Sequence, residues 1–156
     1  MKEGHIRVKV PVDQLRTKLQ KELVTIVGDR KAKKETNKIF CEMCNKYVPR
    51  ETGALQESGH ATEVSVIWDT PYAHYMYEGI IYGPNSPIYD ENGIAVAWYS
   101  PPGEKTKYNT GRRMKYHVNG NPLAARHWDK VMLNRDRRVF NYRVSRKLQK
   151  IAGGKK

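Results

Sequence analysis

The segment from Tyr47 to Gly79, YVPRETGALQESGHATEVSVIWDTPYAHYMYEG, limits the possible folds more than any other part of the chain, because no single regular element can run through it. Pro49 disfavours helical backbone at Val48, so a helix arriving from upstream ends there. Thr52-Gly53 reads as a turn, and Ala54 to Ser58 as one helical turn that buries Leu55, with Gly59 as its left-handed stop. His60 to Trp68 reads as a strand, with Val64, Val66 and Trp68 on one face and Glu63 and Ser65 on the other. A second short helix follows. Thr70 stands at the N-cap, Pro71 at the first helical position, and Tyr72, Tyr75 and Met76 on one face. Gly79 lies just past its end, which completes the usual asymmetry of proline inside the start and glycine beyond the stop.

The flanking sequence supplies the larger elements. Ile6, Val8 and Val10 alternate with Arg7 and Lys9, the pattern of a half-buried strand closed by Pro11. From an N-cap at Asp13, Leu15, Leu19, Leu23 and Ile26 form one apolar stripe. After a basic run from Arg30 to Lys38, the stripe resumes at Ile39, Phe40, Met43, Cys44 and Tyr47. The spacing predicts one long helix, kinked near Gly28, where glycine costs roughly 1 kcal/mol relative to alanine.

Beyond Gly79, Ile80 to Tyr82 begins a strand and Gly83 to Pro87 reads as a loop. Asn92-Gly93 between Ile88-Tyr89 and Ile94 to Tyr99 signals a hairpin. Ser100 to Tyr116 is polar and basic and reads as a surface arm ordered by a partner. Asn119 to Pro122 is a turn. A final helix is expected from about 123 to 151, with Leu133, Phe140, Val144, Leu148 and Ile151 as its stripe and a frayed tail after it. The expected class is α+β, one domain over 1–156: a long N-terminal helix packed on a small antiparallel sheet, short helices, a loop or hairpin arm at about 83–121, and a C-terminal helix.

Composition narrows function less than fold. The chain has 29 Lys and Arg against 16 Asp and Glu, a net charge of +13, and such a field attracts polyanions and acidic surfaces alike. A hydrophobic fraction of 38% points to a small core beneath a large solvated or partner-covered surface. No apolar run approaches the length of a membrane-spanning helix. The start, MKEGHIRVKV, lacks the apolar core of a signal peptide, so the expected compartment is a reducing cytoplasm.

Chemistry-bearing constellations are sparse. Cys41 and Cys44 lie three apart on the predicted helix beside Phe40 and Tyr47. With no second pair, they read as small packed hydrophobes rather than as a redox or zinc site. His117, Asn121 and His127 loosely evoke a metal-dependent nuclease, yet the intervening Asn-Gly-Asn-Pro reads as a plain turn. Ser58 and Ser100 have no base and acid partners in sequence, and no phosphate-binding glycine loop is present. The expectation is no catalytic, cofactor or metal site.

The tyrosines, Tyr72, Tyr75, Tyr77, Tyr82, Tyr89 and Tyr99, could stack single-stranded bases, which keeps a basic nucleic-acid-binding module as the alternative reading. The helical spacing of Tyr72 and Tyr75 favours a core and protein-interface face instead. The basic run Arg30 to Lys38 reads as a solvated helix face.

The Tyr47 to Gly79 block also resembles a family of tailed-bacteriophage proteins called minor capsid, neck or tail-completion proteins. The matching pieces are Pro49, Glu51-Thr52-Gly53-Ala54-Leu55 and Ser58, then Trp68-Asp69-Thr70-Pro71-Tyr72-Ala73, then Tyr77-Glu78-Gly79. Ala125-Arg126-His127-Trp128 is a weaker match at the opening of the last helix, and Gly83-Pro84-Asn85 and Trp98 to Gly103 resemble the Gram-positive phage branch. The resemblance implies a structural subunit of the head–tail connector rather than an enzyme. It implies a homo-oligomeric ring, usually of six copies, in the virion, in contact with other neck proteins and with DNA passing through. It further implies no cofactor and no membrane. The candidate motif and interface residues are Pro49, Thr52, Gly53, Leu55, Trp68, Pro71, Tyr72, Tyr75, Tyr77, Gly79, Trp98 and Trp128.

Overall fold

The N-terminal helical segment is three helices, not one kinked helix: α1 (Val12–Leu15), α2 (Lys18–Val27) and α3 (Asp29–Cys44). A computed structural model describes residues 5–83, 86–99, 108–116 and 120–154. The first break is built by Thr17. Its backbone is extended, its hydroxyl accepts from the Gln20 N–H at 3.3 Å, and the Gln20 side chain accepts from the Thr17 N–H at 3.0 Å. This reciprocal capping box satisfies donors that a continuous helix would have bonded internally. The second break is Gly28, whose φ of 94° ends α2 and starts α3. Arg16 then reaches across to Asp13 and Asp29, both at 3.0 Å, tying α1 to the first turn of α3.

The restart at Thr17 also changes which side chains point inward. Leu15 and Leu23 are buried as expected, but Leu19 and Ile26 are 43% and 54% exposed, and Val27 is buried in place of Ile26. Gln20 takes the inward place instead. Its amide donates to the Asn141 carbonyl at 2.9 Å and to the Ser145 hydroxyl at 3.1 Å, both on α6 (Trp128–Gly153). A buried amide with real partners therefore stands where a pure apolar stripe was read.

The core lies where α3, α6 and a three-stranded sheet meet. Phe40 and Phe140 contact edge to face at 5.8 Å between ring centroids. Ile39, Met43, Cys44, Tyr47, Val144 and Leu148 are buried around them. The sheet has the order β1-β3-β2, all antiparallel, with β1 (Ile6–Val8), β2 (Gly59–Ala61) and β3 (Val66–Trp68).

The stretch read as one strand from His60 to Trp68 is thus a hairpin, with Gly59 opposite Trp68 and Ala61 opposite Val66. Thr62 causes the reversal. Its N–H donates to the Ser65 carbonyl at 2.8 Å, and its hydroxyl accepts from the N–H groups of Val64 and Ser65. Such local side-chain to backbone bonds compete with ladder formation. Val64 consequently sits at the hairpin tip, 73% exposed, rather than on the core face. Gly59 is a strand residue and not a left-handed helix stop.

The rest of the second half holds two further two-stranded ribbons. One pairs β4 (Ile80–Gly83) with β7 (Tyr108–Arg113), and the other pairs β5 (Ser86–Tyr89) with β6 (Ala95–Tyr99). The hairpin around Asn92-Gly93 is as expected, with Gly93 at φ 77°. The expected arm is corrected in part, since residues 108–113 form a strand against β4; residues 100–107 lie outside the described residues. The short helices are α4 (Ala54–Glu57) and α5 (Ala73–Glu78). Thr70 and Pro71 form the turn before α5, closed by the Ala73 N–H on the Thr70 carbonyl at 3.0 Å, so this helix starts later than its proline implied. The last helix likewise starts at Trp128, because residues 121–125 form a strap over the end of α3. Asn121 donates to the carbonyls of Lys46 and Val48, and the Ala125 N–H donates to the Tyr47 carbonyl.

Candidate assembly interface

The sequence-derived motif residues divide into an inward set and an outward set. The inward set is Trp68, Tyr77, Gly79 and Trp128. The two indoles meet edge to face at 5.4 Å, and the Tyr77 ring stands edge to face on Trp128 at 4.9 Å. Each polar handle but one is satisfied. Trp68 Nε1 donates to Asn45 Oδ1 at 3.1 Å, and the Tyr77 hydroxyl donates to Asp129 Oδ1 at 2.8 Å, whereas Trp128 Nε1 is buried without a partner. Burial, reinforced by the neighbouring Asp129 carboxylate, pushes the Tyr77 phenol far above its ordinary value. Gly79 closes the knot from outside at φ 63°, and a β-carbon there would lie 2.8 Å from the Tyr116 hydroxyl and 3.0 Å from Arg126 Cβ.

His127 and Asn121, two of the three residues that evoked a nuclease, belong to this scaffold. His127 Nε2 sits 3.2 Å from Glu78 Oε2, its ring lies 4.9 Å from that of Tyr77, and its N–H donates to the Tyr77 carbonyl. Asn121 holds the end of α3, as described above; His117 lies outside the described residues. Among the described residues no group of three His, Cys, Asp or Glu side chains is placed to hold a metal ion.

The outward set faces an open groove of about 710 Å³. Its floor and one wall come from the turn after α3, with Pro49, Thr52, Gly53 and Leu55; the opposite wall is Tyr72, Tyr75 and Met76 of the α5 region. Ile80, Ile81 and Tyr82 of β4 and the segment Met114 to Tyr116 that follows β7 close the end. Local chemistry explains the shape. Gly53 adopts φ 96°, which lets the chain turn into α4 and drop Leu55 into the core at 4% exposure. Gln56 then donates to the carbonyls of Asn45 and Val48, fastening the turn to the end of α3. On the far side, the Tyr116 hydroxyl donates to the Met76 carbonyl at 2.6 Å, and burial pushes this phenol up to about 12. Tyr72 is 42% exposed at the groove mouth, and Tyr75 contacts Tyr82 at 4.8 Å. Pro71 is exposed next to Tyr72. Trp98 belongs to β6, opposite Pro87 in backbone register.

Several residues that build both sets carried no sequence signal: Asn45, Gln56, Tyr116 and Asp129. Asn45, Tyr116 and Asp129 act through partners 23, 40 and 52 residues away, and Gln56 reaches back 8 and 11 residues across the turn, none of which local periodicity encodes. The cysteines are both free and buried, and burial raises the Cys41 thiol to about 11 and Cys44 still further, as expected of packed rather than reactive thiols. The basic run is largely a solvated, ion-paired face: Lys33 meets Asp29 at 2.8 Å, Lys38 meets Glu35 at 2.9 Å and Arg30 meets Glu63 at 2.6 Å.

A family model described as minor capsid protein matches residues 6–142, which spans both sets and every element from β1 into α6. The chain belongs to the phage minor capsid protein family. No curated protein and no solved structure matches it significantly. Membership makes this minor capsid protein a structural component of a phage virion that meets other virion proteins there. No helix among the described residues is long and apolar enough to cross a membrane.

Proposed function

We propose that this minor capsid protein is a subunit of the head–tail connector, a single folded unit that acts by closing into a ring, with six copies as the expected number, between the portal-side complex and the tail. On this reading it is not an enzyme, takes no cofactor, and contacts DNA only as the genome passes through the assembly. The observation that carries the proposal is the groove. Six motif residues, Pro49, Thr52, Gly53, Leu55, Tyr72 and Tyr75, line one open, largely apolar depression. Depressions with exposed tyrosines on a small basic protein suit contact with another protein surface. The inward knot gives that depression a rigid wall, as a subunit of fixed shape requires.

The test is genetic and structural together. A phage lacking this gene should produce DNA-filled heads and free tails that do not join, and a labelled copy should localise to the neck in electron micrographs. Intact, infectious particles without the protein, or label spread over the head surface, would exclude the connector role.

A further inference from the structure

The ribbon β5–β6 is chemically unlike the rest of the molecule. In a chain of net charge +13, the stretch from Gly83 to Gly103 carries only two charged residues, Asp90 and Glu91, both acidic. Near its turn, Ile88, Tyr89 and Ile94 are 46%, 61% and 63% exposed. The turn itself is well formed. Asp90 Oδ1 accepts from the N–H groups of Asn92 and Ile94, and the Gly93 N–H donates to the Asp90 carbonyl. A two-stranded hairpin with an exposed apolar end is marginal in water by itself. A structured turn carrying three exposed large apolar side chains and a pair of acids is a shaped knob.

The complementary shape is the groove. It is apolar along Leu55, Tyr72 and Met76, and its rim carries Arg50 and Lys115 against a single acidic lining residue, Glu51. The groove's closing segment, Met114 to Tyr116, adds Lys115 and no acidic residue. The knob is therefore apolar and acidic, and the groove apolar and basic, on one polypeptide.

We infer that the β5–β6 hairpin tip of one copy seats in the groove of the next, with Ile94 and Tyr89 against the apolar lining and Glu91 facing Lys115 and Arg50. This rests on the ring-subunit reading given above and names the two surfaces that meet. Because knob and groove are different patches, the contact is heterologous, and repetition propagates around a closed ring or along a filament. Charge complementarity sets the register and rejects the alternative of groove against groove, which would oppose like charges.

The experiment uses the full chain. Glu91→Lys and Lys115→Glu are prepared separately, mixed, and combined in one chain, and oligomeric state is followed by sedimentation at low salt, with circular dichroism to verify the fold. Both positions are exposed, so folding is undisturbed. Wild type should associate, and each single reversal should lose that association, because it places like charges at the contact. The mixture and the double variant should regain it.

In parallel, Glu91→Cys on one chain and Lys115→Cys on a second, differently tagged chain should give an oxidative cross-link between the two. Glu91→Cys mixed with Lys31→Cys on α3 should give none. A wild-type chain that stays monomeric, single reversals that assemble like wild type, or cross-linking no greater than with the Lys31→Cys control would overturn the inference. Neck localisation in the virion is read independently of these results, so the connector role and the knob-in-groove contact can fail separately.

Discussion

At Gly79 two independent requirements coincide. The backbone is left-handed at φ 63°, and a β-carbon would approach the Tyr116 hydroxyl to 2.8 Å and Arg126 Cβ to 3.0 Å. Gly79→Ala therefore adds conformational strain to a steric conflict that only a shift of the α5 end or of Tyr116 can relieve. The expected loss is about 1–3 kcal/mol in urea denaturation, the usual scale for a residue forced into a sparsely populated region.

Buried titratable groups give a second prediction at this scale. Burial raises Cys41 from 9.0 to about 11, and raises Tyr116 from 10.0 to about 12. Both are neutral when protonated, so the unfolded chain loses these protons at lower pH than the folded chain does. Their contribution to stability is whole below about pH 9 and declines through pH 11–12. The urea midpoint should fall across that alkaline window, and Tyr116→Phe should flatten the fall. An unchanged slope in Tyr116→Phe would contradict the assignment. Much of this scale is legible in the sequence: Leu55, Tyr47 and Trp68 read as inward-facing and are buried, whereas Trp128 reads only as a motif residue and is buried as well. Gln20 and Asn45 were not legible, because a polar side chain shows its partners only when a distant carbonyl or indole arrives.

Among the elements, the sequence pattern locates most helical segments and misjudges where they break. The apolar residues from Leu15 to Cys44 do lie on helices, with Tyr47 in the turn after α3, yet the capping box at Thr17 and the left-handed Gly28 divide them, and the division leaves Leu19 and Ile26 in solvent. Likewise, alternation through Val64, Val66 and Trp68 read as one strand. The hydroxyl of Thr62 reverses the chain two residues too early for that pattern to hold. In both places a short polar side chain bonding the nearby backbone overruled periodicity. β7 was invisible for a different reason: Tyr-Asn-Thr-Gly-Arg-Arg has no apolar alternation, and its strand form depends on pairing with β4. These causes can be tested. Thr17→Ala should cost about 1 kcal/mol, as typical for loss of a cap hydroxyl. Gln20→Ala should cost about 1–3 kcal/mol, since it removes a buried side chain together with its bonds to the Asn141 carbonyl and the Ser145 hydroxyl. Thermal melts of both variants, compared with Leu19→Ala at its exposed neighbour, separate the two roles; a Gln20→Ala loss no greater than that of Leu19→Ala would refute the inward role of Gln20.

Across the whole molecule, the division of the motif into an inward knot and an outward groove separates folding from assembly. Trp128 is fully buried, with Trp68 and Tyr77 on its faces. Trp128→Ala should cost about 3–5 kcal/mol, enough to consume much of the stability of a domain this size. Tyr72 stands at the groove mouth with 42% of its surface exposed. Truncating a partly exposed side chain away from such a core usually changes stability by about 0.5 kcal/mol or less. An interface aromatic, however, can cost at least about 2 kcal/mol of binding when removed. Tyr72→Ser is therefore expected to melt within a few degrees of wild type while losing self-association and incorporation into particles. Trp128→Ala should fail in both respects because it does not fold. A Tyr72→Ser chain that assembles normally would strip the groove of its assigned role. A Tyr72→Ser chain that unfolds as readily as Trp128→Ala would mean that the two motif sets form one structural unit, with no surface reserved for a neighbour.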